Sequence, residues 1–107
     1  MRKLIKSEHA SFFLHAVDPN IYSDYLTAVT HPMDLNTLDG LVSSFQTVET
    51  FLFEASFIWE NCRKYNFNDT SIAQNAELLH NLLRNLINVC INFIKYHKNS
   101  HYNSSLF

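Results

Sequence analysis

One glycine and two prolines among 107 residues leave this chain few places where its backbone can turn sharply. A sheet of short strands needs frequent turns, and those turns depend heavily on glycine and proline. The chain can still bury a core, because 47% of its residues are hydrophobic. Its length suits one domain. The composition therefore predicts an all-α domain, in which helices are joined by a few loops.

Four segments carry apolar residues at the three- and four-residue spacing of a buried helix face. We predict helices over about 2–16, from Asp34 to about Val42, from Thr47 to Tyr65, and from about Thr70 through Ile94. The side chains expected to face inward are Leu4, Ile5, Phe12, Phe13, Ala16, Leu35, Leu38, Leu41, Val42, Val48, Phe51, Leu52, Ala55, Ile58, Trp59, Cys62, Ile72, Ala76, Leu79, Leu82, Leu83, Leu86, Val89, Cys90, Phe93 and Ile94.

The loop over residues 17–33 is long for a compact domain and shows no helical stripe, and long loops are often functional. Asp34 is placed to cap the helix that follows it. The last helix begins either with a Ser-x-x-Gln capping box at Ser71 or with Asp69 as its cap. Helices of unequal length predict an antiparallel bundle. In such a bundle, loop 17–33 and the gap at Asn66 lie at the same end.

Charge and polarity exclude several classes of partner. The formal net charge is −2, and no basic face with interleaved aromatic residues is visible, so direct nucleic-acid binding is not expected. No apolar run reaches the length of about 20 residues that a membrane span needs, so no membrane contact is expected. Acidic residues lie in or beside the loops and favour a basic partner; these are Asp18, Asp24, Asp34, Asp39 and Asp69.

The histidines, cysteines and acids form no pattern typical of a metal site or an enzyme. The six histidines are dispersed, and only His97 and His101 share a helical spacing, so no metal or other cofactor is expected. Cys62 and Cys90 fall within helical patterns and are expected to be reduced thiols in the interior of an intracellular protein. No nucleophile triad, carboxylate pair or phosphate loop is visible, so the chain is not predicted to be an enzyme.

Several short motifs follow one another between about residues 8 and 95, and together they resemble the bromodomain. They are Val17-Asp18-Pro19, Asp24-Tyr25, Pro32-Met33-Asp34-Leu35-x-Thr37-Leu38, Asn61-Cys62-x-x-Tyr65-Asn66, and Ala76. The resemblance implies a left-handed antiparallel four-helix bundle with helices αZ, αA, αB and αC. It implies that 17–33 is the ZA loop and 66–70 the BC loop. We expect the domain to span 1–98, with a disordered tail at 99–107.

The resemblance also implies a function, since bromodomains bind acetylated lysine between the ZA and BC loops. Asn66 would donate its side-chain amide to the acetyl carbonyl, and Tyr25 would reach the same carbonyl through an ordered water. Val17 would line the slot for the acetyl methyl group. Other implied wall positions are Ile72 at the gatekeeper position, with Tyr65 and Cys62 on the αB side. Taken alone, Asn66 could instead serve only to end a helix.

The chain departs from the family pattern at several positions near this site. Ser11, Phe12 and Phe13 stand where many members have Trp-Pro-Phe, so the hydrophobic shelf is altered. Phe67 replaces a frequent proline, and Leu26 stands for the second residue of a tyrosine pair. Candidates for the outer wall within the ZA loop are Ile21 and Tyr22.

The implied partners are acetylated-lysine peptides, such as histone tails, and the implied setting is a nuclear chromatin protein larger than this chain. An alternative interpretation is a degenerate bundle that serves as a protein-interaction or dimerisation surface. Asn61, at the end of the third predicted helix, is expected to have a structural role that ties backbone segments together.

Overall fold

The computed structural model describes residues 1–66 and 69–98, and every regular element within those ranges is helical. The prediction of an all-α domain is therefore confirmed. Phe67 and the predicted tail at 99–107 lie outside the described residues. The helices are α1 (Arg2–Ile5), α2 (Tyr25–Ala28), α3 (Leu35–Leu41), α4 (Val48–Tyr65) and α5 (Thr70–Lys98), with 3-10 turns at Ser11–Phe13 and Val42–Ser44.

The helices form a bundle around one core. Helix α1 contacts α3 and α5, α3 contacts α4, and α4 contacts α5, so these four close a ring, while α2 contacts α4. Each member of the ring contributes a side chain that is almost fully buried: Leu4, Leu38, Ala55 and Leu79. Helices α1, α3, α4 and α5 therefore correspond to the four predicted helices. None of them, over the described ranges, is long and apolar enough to cross a membrane.

Side-chain caps fix where the principal helices begin. The Thr37 amide donates to Asp34 Oδ1 at 2.8 Å, and the Thr37 hydroxyl donates to Oδ2 at 2.7 Å. At the start of α5, the Ile72 amide donates to Asp69 Oδ1 at 3.1 Å. Of the two residues considered for this position, Asp69 is the cap, because the helix already begins at Thr70. Ser71 therefore lies inside the first turn.

The first predicted helix, over 2–16, is wrong in extent. Helix α1 ends at Ile5. The backbone then forms hydrogen bonds between residues three apart in sequence, such as the bond that the Ala10 amide donates to the Ser7 carbonyl. The Ser7 hydroxyl also accepts from the His9 amide at 3.2 Å. Serine side chains compete in this way with the helical hydrogen-bond pattern. Ala16, predicted to face inward, is consequently exposed.

The loop over 17–33 contains one helical turn that periodicity did not reveal. Helix α2 is four residues long, which is too short to display a repeating apolar stripe. Its ends are nevertheless anchored, because Tyr25 and Val29 are buried and the Val29 amide donates to the Tyr25 carbonyl at 2.8 Å. The loop is therefore held against the bundle near its middle.

Several apolar side chains predicted to face inward are exposed. Over residues 70–96 of α5, the last buried side chain is that of Leu83, and every side chain over residues 88–96 is exposed. With 29 residues, α5 spans about 43 Å, whereas the 18 residues of α4 span about 27 Å, so the distal part of α5 extends past its neighbour. The exposed α5 positions are Val89, Cys90, Phe93 and Ile94.

A second group of exposed positions lies where the chain turns between α3 and α4. Leu41, Val42, Val48 and Leu52 are exposed there. The 3-10 turn Val42–Ser44 diverts the chain, so the buried face of α3 ends at Leu38.

Loss of a core side chain should destabilise the bundle far more than loss of a distal one. We expect Leu79→Ala to lower the free energy of unfolding by about 2–5 kcal/mol, because Leu79 is fully buried and its removal leaves a cavity. The matched variant Val89→Ala, at a position 65% exposed on the same helix, should change it by about 0.5 kcal/mol or less. Denaturant titrations followed by tryptophan fluorescence measure both. Equal losses would contradict the assigned core.

Stability should also fall on mild acidification because of His80. Burial, followed by the positive charge of Arg84, lowers the pKa of this imidazole below its ordinary value. In the unfolded chain histidine titrates near about pH 6.5. The unfolded state therefore binds more protons between that pH and the lower folded pKa, and the free energy of unfolding decreases as pH falls through this interval. Denaturant titrations at several pH values across this interval should show a steeper fall in the free energy of unfolding for the wild type than for His80→Gln. Parallel plots of that free energy against pH would contradict the prediction.

Candidate ligand-binding site

Two loops converge at one end of the bundle, as the predicted topology requires. The Tyr65 hydroxyl, at the end of α4, donates to Asp24 Oδ1 at 2.5 Å. The Tyr65 ring also meets Tyr25 edge to face, with ring centroids 4.9 Å apart, and Tyr22 in the same manner at 6.3 Å. These contacts bring the middle of loop 17–33 against the residues that precede Asn66.

A buried hydrogen bond attaches the end of the long loop to α4. The Asn61 side-chain amide donates to the His31 backbone carbonyl at 2.8 Å, and Asn61 is only 4% exposed. The His31 ring adds a stack on Phe57, with centroids 4.0 Å apart, and a 3.0 Å contact between its Nε2 and Glu54. The expected structural role of Asn61 is confirmed by this bond.

A cavity opens between the two loops. Its outer part has a volume of about 220 Å³, and its inner recess has about 30 Å³. Phe12, Val17 and Asn66 line both parts, so we treat the two as one site, the Asn66 cleft. The outer part is completed by Tyr22, Tyr65, Asp69 and Ile72, and the inner recess by Phe13, His15, Tyr25, Met33, Ile58, Asn61 and Cys62.

The backbone of Asn66 is used to end the helix, and its side chain lines the cleft. The backbone amide of Asn66 donates to the Cys62 backbone carbonyl at 2.8 Å, and the Asn66 backbone carbonyl accepts from the Asp69 backbone amide at 2.9 Å. Both main-chain groups are therefore satisfied within the loop. Helix termination and a place in the cleft are compatible, so the two interpretations of this residue do not exclude each other.

The structure brings most of the predicted site residues together around the cleft. The exception among the described residues is Ile21, which is 71% exposed and lines neither part. The Ile21 and Tyr22 amides both donate to the Asp18 carbonyl in one tight turn, and consecutive side chains of such a turn point in different directions. Phe67 lies outside the described residues. Those at the cleft are Asn66, Tyr25, Val17, Ile72, Tyr65, Cys62, Phe13, Phe12 and Tyr22.

The altered shelf residues occupy distinct parts of the site. Phe13 is buried in the inner recess, whereas Phe12 is 44% exposed and lines both parts. The two rings meet edge to face, with centroids 5.4 Å apart. Phe12 therefore supplies the aromatic surface at the mouth, and Phe13 supplies the floor.

Sequence reasoning missed five residues of the cleft. Ile58 lies one helical turn before Cys62 and so shares its face, which is a signal that could have identified it. Met33 belongs to the Pro-Met-Asp motif, and Asp69 belongs to the short loop after Asn66. Asn61 begins the motif that contains Cys62 and Asn66 and was assigned only a structural role, whereas His15 carries no local signal of a place in the cleft.

The thiol and the phenol inside the cleft are uncharged, and acidic residues lie at its mouth. Burial raises the pKa of the Cys62 thiol and of the Tyr25 hydroxyl, so both groups keep their protons near neutral pH. Asp69 lines the outer part, and Asp24 is bonded to the Tyr65 hydroxyl there. Among residues 1–66 and 69–98, no group of three or more His, Cys, Asp or Glu side chains is arranged to hold a metal ion.

The geometry is that of a small helical module with a narrow cleft, lined by both apolar and polar residues, that can receive part of a ligand. A family model of the bromodomain matches residues 1–78, and this chain belongs to the bromodomain family. Bromodomains are binding modules, and they generally recognise acetylated lysine in chromatin proteins.

Individual relatives agree with this assignment. Histone acetyltransferase GCN5 of Yarrowia lipolytica is 36% identical over 75 residues, which make up 66% of this chain and 16% of that protein. Nucleosome-remodeling factor subunit NURF301 of Drosophila melanogaster is 32% identical over 69 residues, which make up 63% of this chain and 3% of that protein. The chain thus spans a small fraction of these relatives.

A solved structure gives the same fold. The bromodomain from human BAZ1A matches with a TM-score of 0.73 at 22% sequence identity, covering 78% of this chain and 79% of that one. At this level of identity the likeness concerns the fold.

Removing the acidic partner of Tyr65 should change how this phenol titrates. The hydrogen bond to Asp24 raises the pKa of Tyr65 to about 12, because ionisation would place a phenolate beside a carboxylate. We expect Asp24→Asn to return this pKa toward the ordinary value of about 10. Phenolate absorbance, with Tyr65→Phe as the reference that removes this one phenol, measures the shift. An unchanged titration in Asp24→Asn would show that the bond is not formed.

Proposed function

We propose that this domain binds acetylated lysine in histone or other chromatin-protein tails through the Asn66 cleft. The observation that carries the proposal is the position of Asn66, which lines both parts of the cavity between the two loops beside the apolar residues Phe12 and Val17. The side-chain amide of Asn66 donates toward the Cys62 thiol within the cleft, and an amide group has a second hydrogen that can serve a ligand. The family assignment supports the same ligand class.

The chemistry of acetyl-lysine suits such a slot. The modified side chain is neutral and ends in an amide acceptor and a methyl group on a long aliphatic stem. The Asn66 amide can donate to the acetyl carbonyl while apolar walls bury the rest. Unmodified lysine would bring a charge that must be desolvated, and its ammonium group would oppose a donor with another donor. The cleft therefore favours the acetylated form.

The two parts of the cleft suggest how the ligand is arranged. The outer part, about 220 Å³, would receive the acetylated side chain between Phe12, Val17 and Ile72. The inner recess, about 30 Å³, has about the volume of one water molecule in the liquid. Tyr25 lines that recess, so a water held there can join its hydroxyl to the acetyl carbonyl.

Binding of one such side chain is expected to be weak. One neutral hydrogen bond contributes about 0.5–1.5 kcal/mol net, and each buried methylene adds about 0.8 kcal/mol, offset by the cost of ordering the peptide. We expect dissociation constants of about 10 µM to 1 mM, or roughly −4 to −7 kcal/mol. Asp24 and Asp69 at the mouth favour peptides with basic residues beside the acetylated one.

The setting proposed for the domain follows from the same resemblance. We propose that residues 1–98 form the functional unit, within a larger nuclear chromatin protein. The relatives that match this segment include a histone acetyltransferase and a nucleosome-remodeling factor subunit, and both are much longer than the matched region.

Acetylated and unacetylated histone-tail peptides titrated calorimetrically against the domain test the proposal. We expect binding only of acetylated peptides, and a weakening of at least about tenfold in Asn66→Ala, because the acetyl carbonyl loses its buried donor. Ile21→Ala, at an exposed position outside the cleft, serves as the control and should bind like the wild type.

Two results would count against the reader function. One is equal affinity for acetylated and unacetylated peptides, and the other is unchanged binding by a folded Asn66→Ala variant. Absence of binding to every acetylated peptide would favour the alternative, a bundle that keeps the fold and serves as an interaction surface.

A further inference from the structure

A second cavity lies between α4 and α5 and shares no lining residue with the Asn66 cleft. Its volume is about 370 Å³, larger than the outer part of that cleft. Cavities that hold small molecules have volumes of about 300–1,000 Å³. By size alone, it can take a compact organic ligand.

The floor and walls of this cavity are mainly apolar. Trp59 and Leu83, which are 3% and 4% exposed, lie at its base. Leu52 of α4 and Ile87 and Ile91 of α5 form its sides. A ligand body that fits here would therefore be hydrocarbon or aromatic.

His80 is an unusual residue for a wall that serves packing alone. Its ring stacks on Trp59, with centroids 5.3 Å apart and planes 15° from parallel. Its Nδ1 is buried and has no hydrogen-bond partner. An unpartnered buried polar atom is unfavourable, and a leucine or phenylalanine at this position would avoid that cost. Its presence in this wall therefore calls for an explanation, and a bound polar group would supply one.

Arg84 supplies a charged donor beside this ring. It follows His80 by one helical turn on α5, so the two side chains lie on one face, and both line the cavity. Within the described part of the chain, Arg84 forms no ion pair with a carboxylate, whereas Arg63 pairs with Glu60 and Glu77. An arginine at the edge of an apolar cavity is suited to bind a carboxylate through two parallel hydrogen bonds.

We propose that the α4–α5 cavity binds a small amphipathic monocarboxylic acid, with its apolar body over Trp59 and its carboxylate on Arg84. The apolar walls select the body, and the guanidinium selects the anionic head over a neutral or cationic one. The imidazole of His80 lies beside the head group and adds a polar edge to an otherwise apolar wall. This site is independent of acetyl-lysine binding.

The fluorescence of Trp59 gives a direct readout, since it is the only tryptophan in the chain. Octanoate is the probe, and 1-octanol and octylamine carry the same alkyl body with a neutral and a cationic head. We expect octanoate to change the Trp59 emission saturably, 1-octanol to bind at least about tenfold more weakly, and octylamine to bind more weakly still.

Variants separate the charge from the cavity. Arg84→Gln should weaken octanoate binding at least about tenfold. Lys95→Gln removes a charge from the same helix outside the cavity, and it should leave the affinity for octanoate unchanged. Ser56→Leu, at a position that lines the cavity, should fill it and abolish binding while circular dichroism shows the helices retained. Acetylated-peptide titrations of these variants should match the wild type, so either proposal can fail without the other.

Three results would overturn the inference. They are no saturable response to octanoate, equal affinity for octanoate and 1-octanol, and unchanged octanoate binding in Arg84→Gln. The second of these would reduce the site to an apolar groove without preference for an acid.

Discussion

The hydrogen bond from Asn61 to the His31 carbonyl supports the whole Asn66 cleft, because it joins parts of the chain that are distant in sequence. It attaches the end of loop 17–33 to α4 from a position that is almost fully buried. The loop supplies Val17 and Tyr25 to the cleft, and α4 supplies Cys62. A cleft whose walls are held before a ligand arrives has less conformational entropy to lose on binding, which matters where single contacts are weak.

How much the sequence revealed depended on whether the signal was local. Asn66 and Tyr65 could be placed because a helix end and a short motif fix both within a few residues. The proximity of Tyr25 to Asn66 followed from the predicted antiparallel bundle, in which loop 17–33 and the gap at Asn66 lie at the same end. Ile21 was assigned to the outer wall and lies outside the cleft, because the direction of a side chain in a tight turn depends on backbone angles that periodicity does not encode. The helix α2 was missed for a different reason, since four residues are too few to show a repeating apolar stripe.

The incorrect predictions in α5 have another cause, since apolar spacing shows which face of a helix is apolar but not whether a neighbour covers it. Val89 and Cys90 continue the stripe of α5 and are exposed because α4 is shorter. The α4–α5 cavity could not be predicted from the sequence either. Trp59 and Leu83 were both assigned to the core, and the space above them depends on how far two helices diverge. Such volumes depend on tertiary packing, which a single stripe does not specify.

The great length of α5 also affects how this domain unfolds. Its first half is fixed by the core at Ala76, Leu79 and Leu83, whereas no side chain over residues 88–96 is buried. Helical turns that bury no side chain gain little stability from packing, and asparagines such as Asn88 and Asn92 are poor helix formers. The distal turns are therefore expected to fray at a lower free energy than the core. Total helicity and core integrity are then separate quantities, and one free energy of unfolding describes only the second.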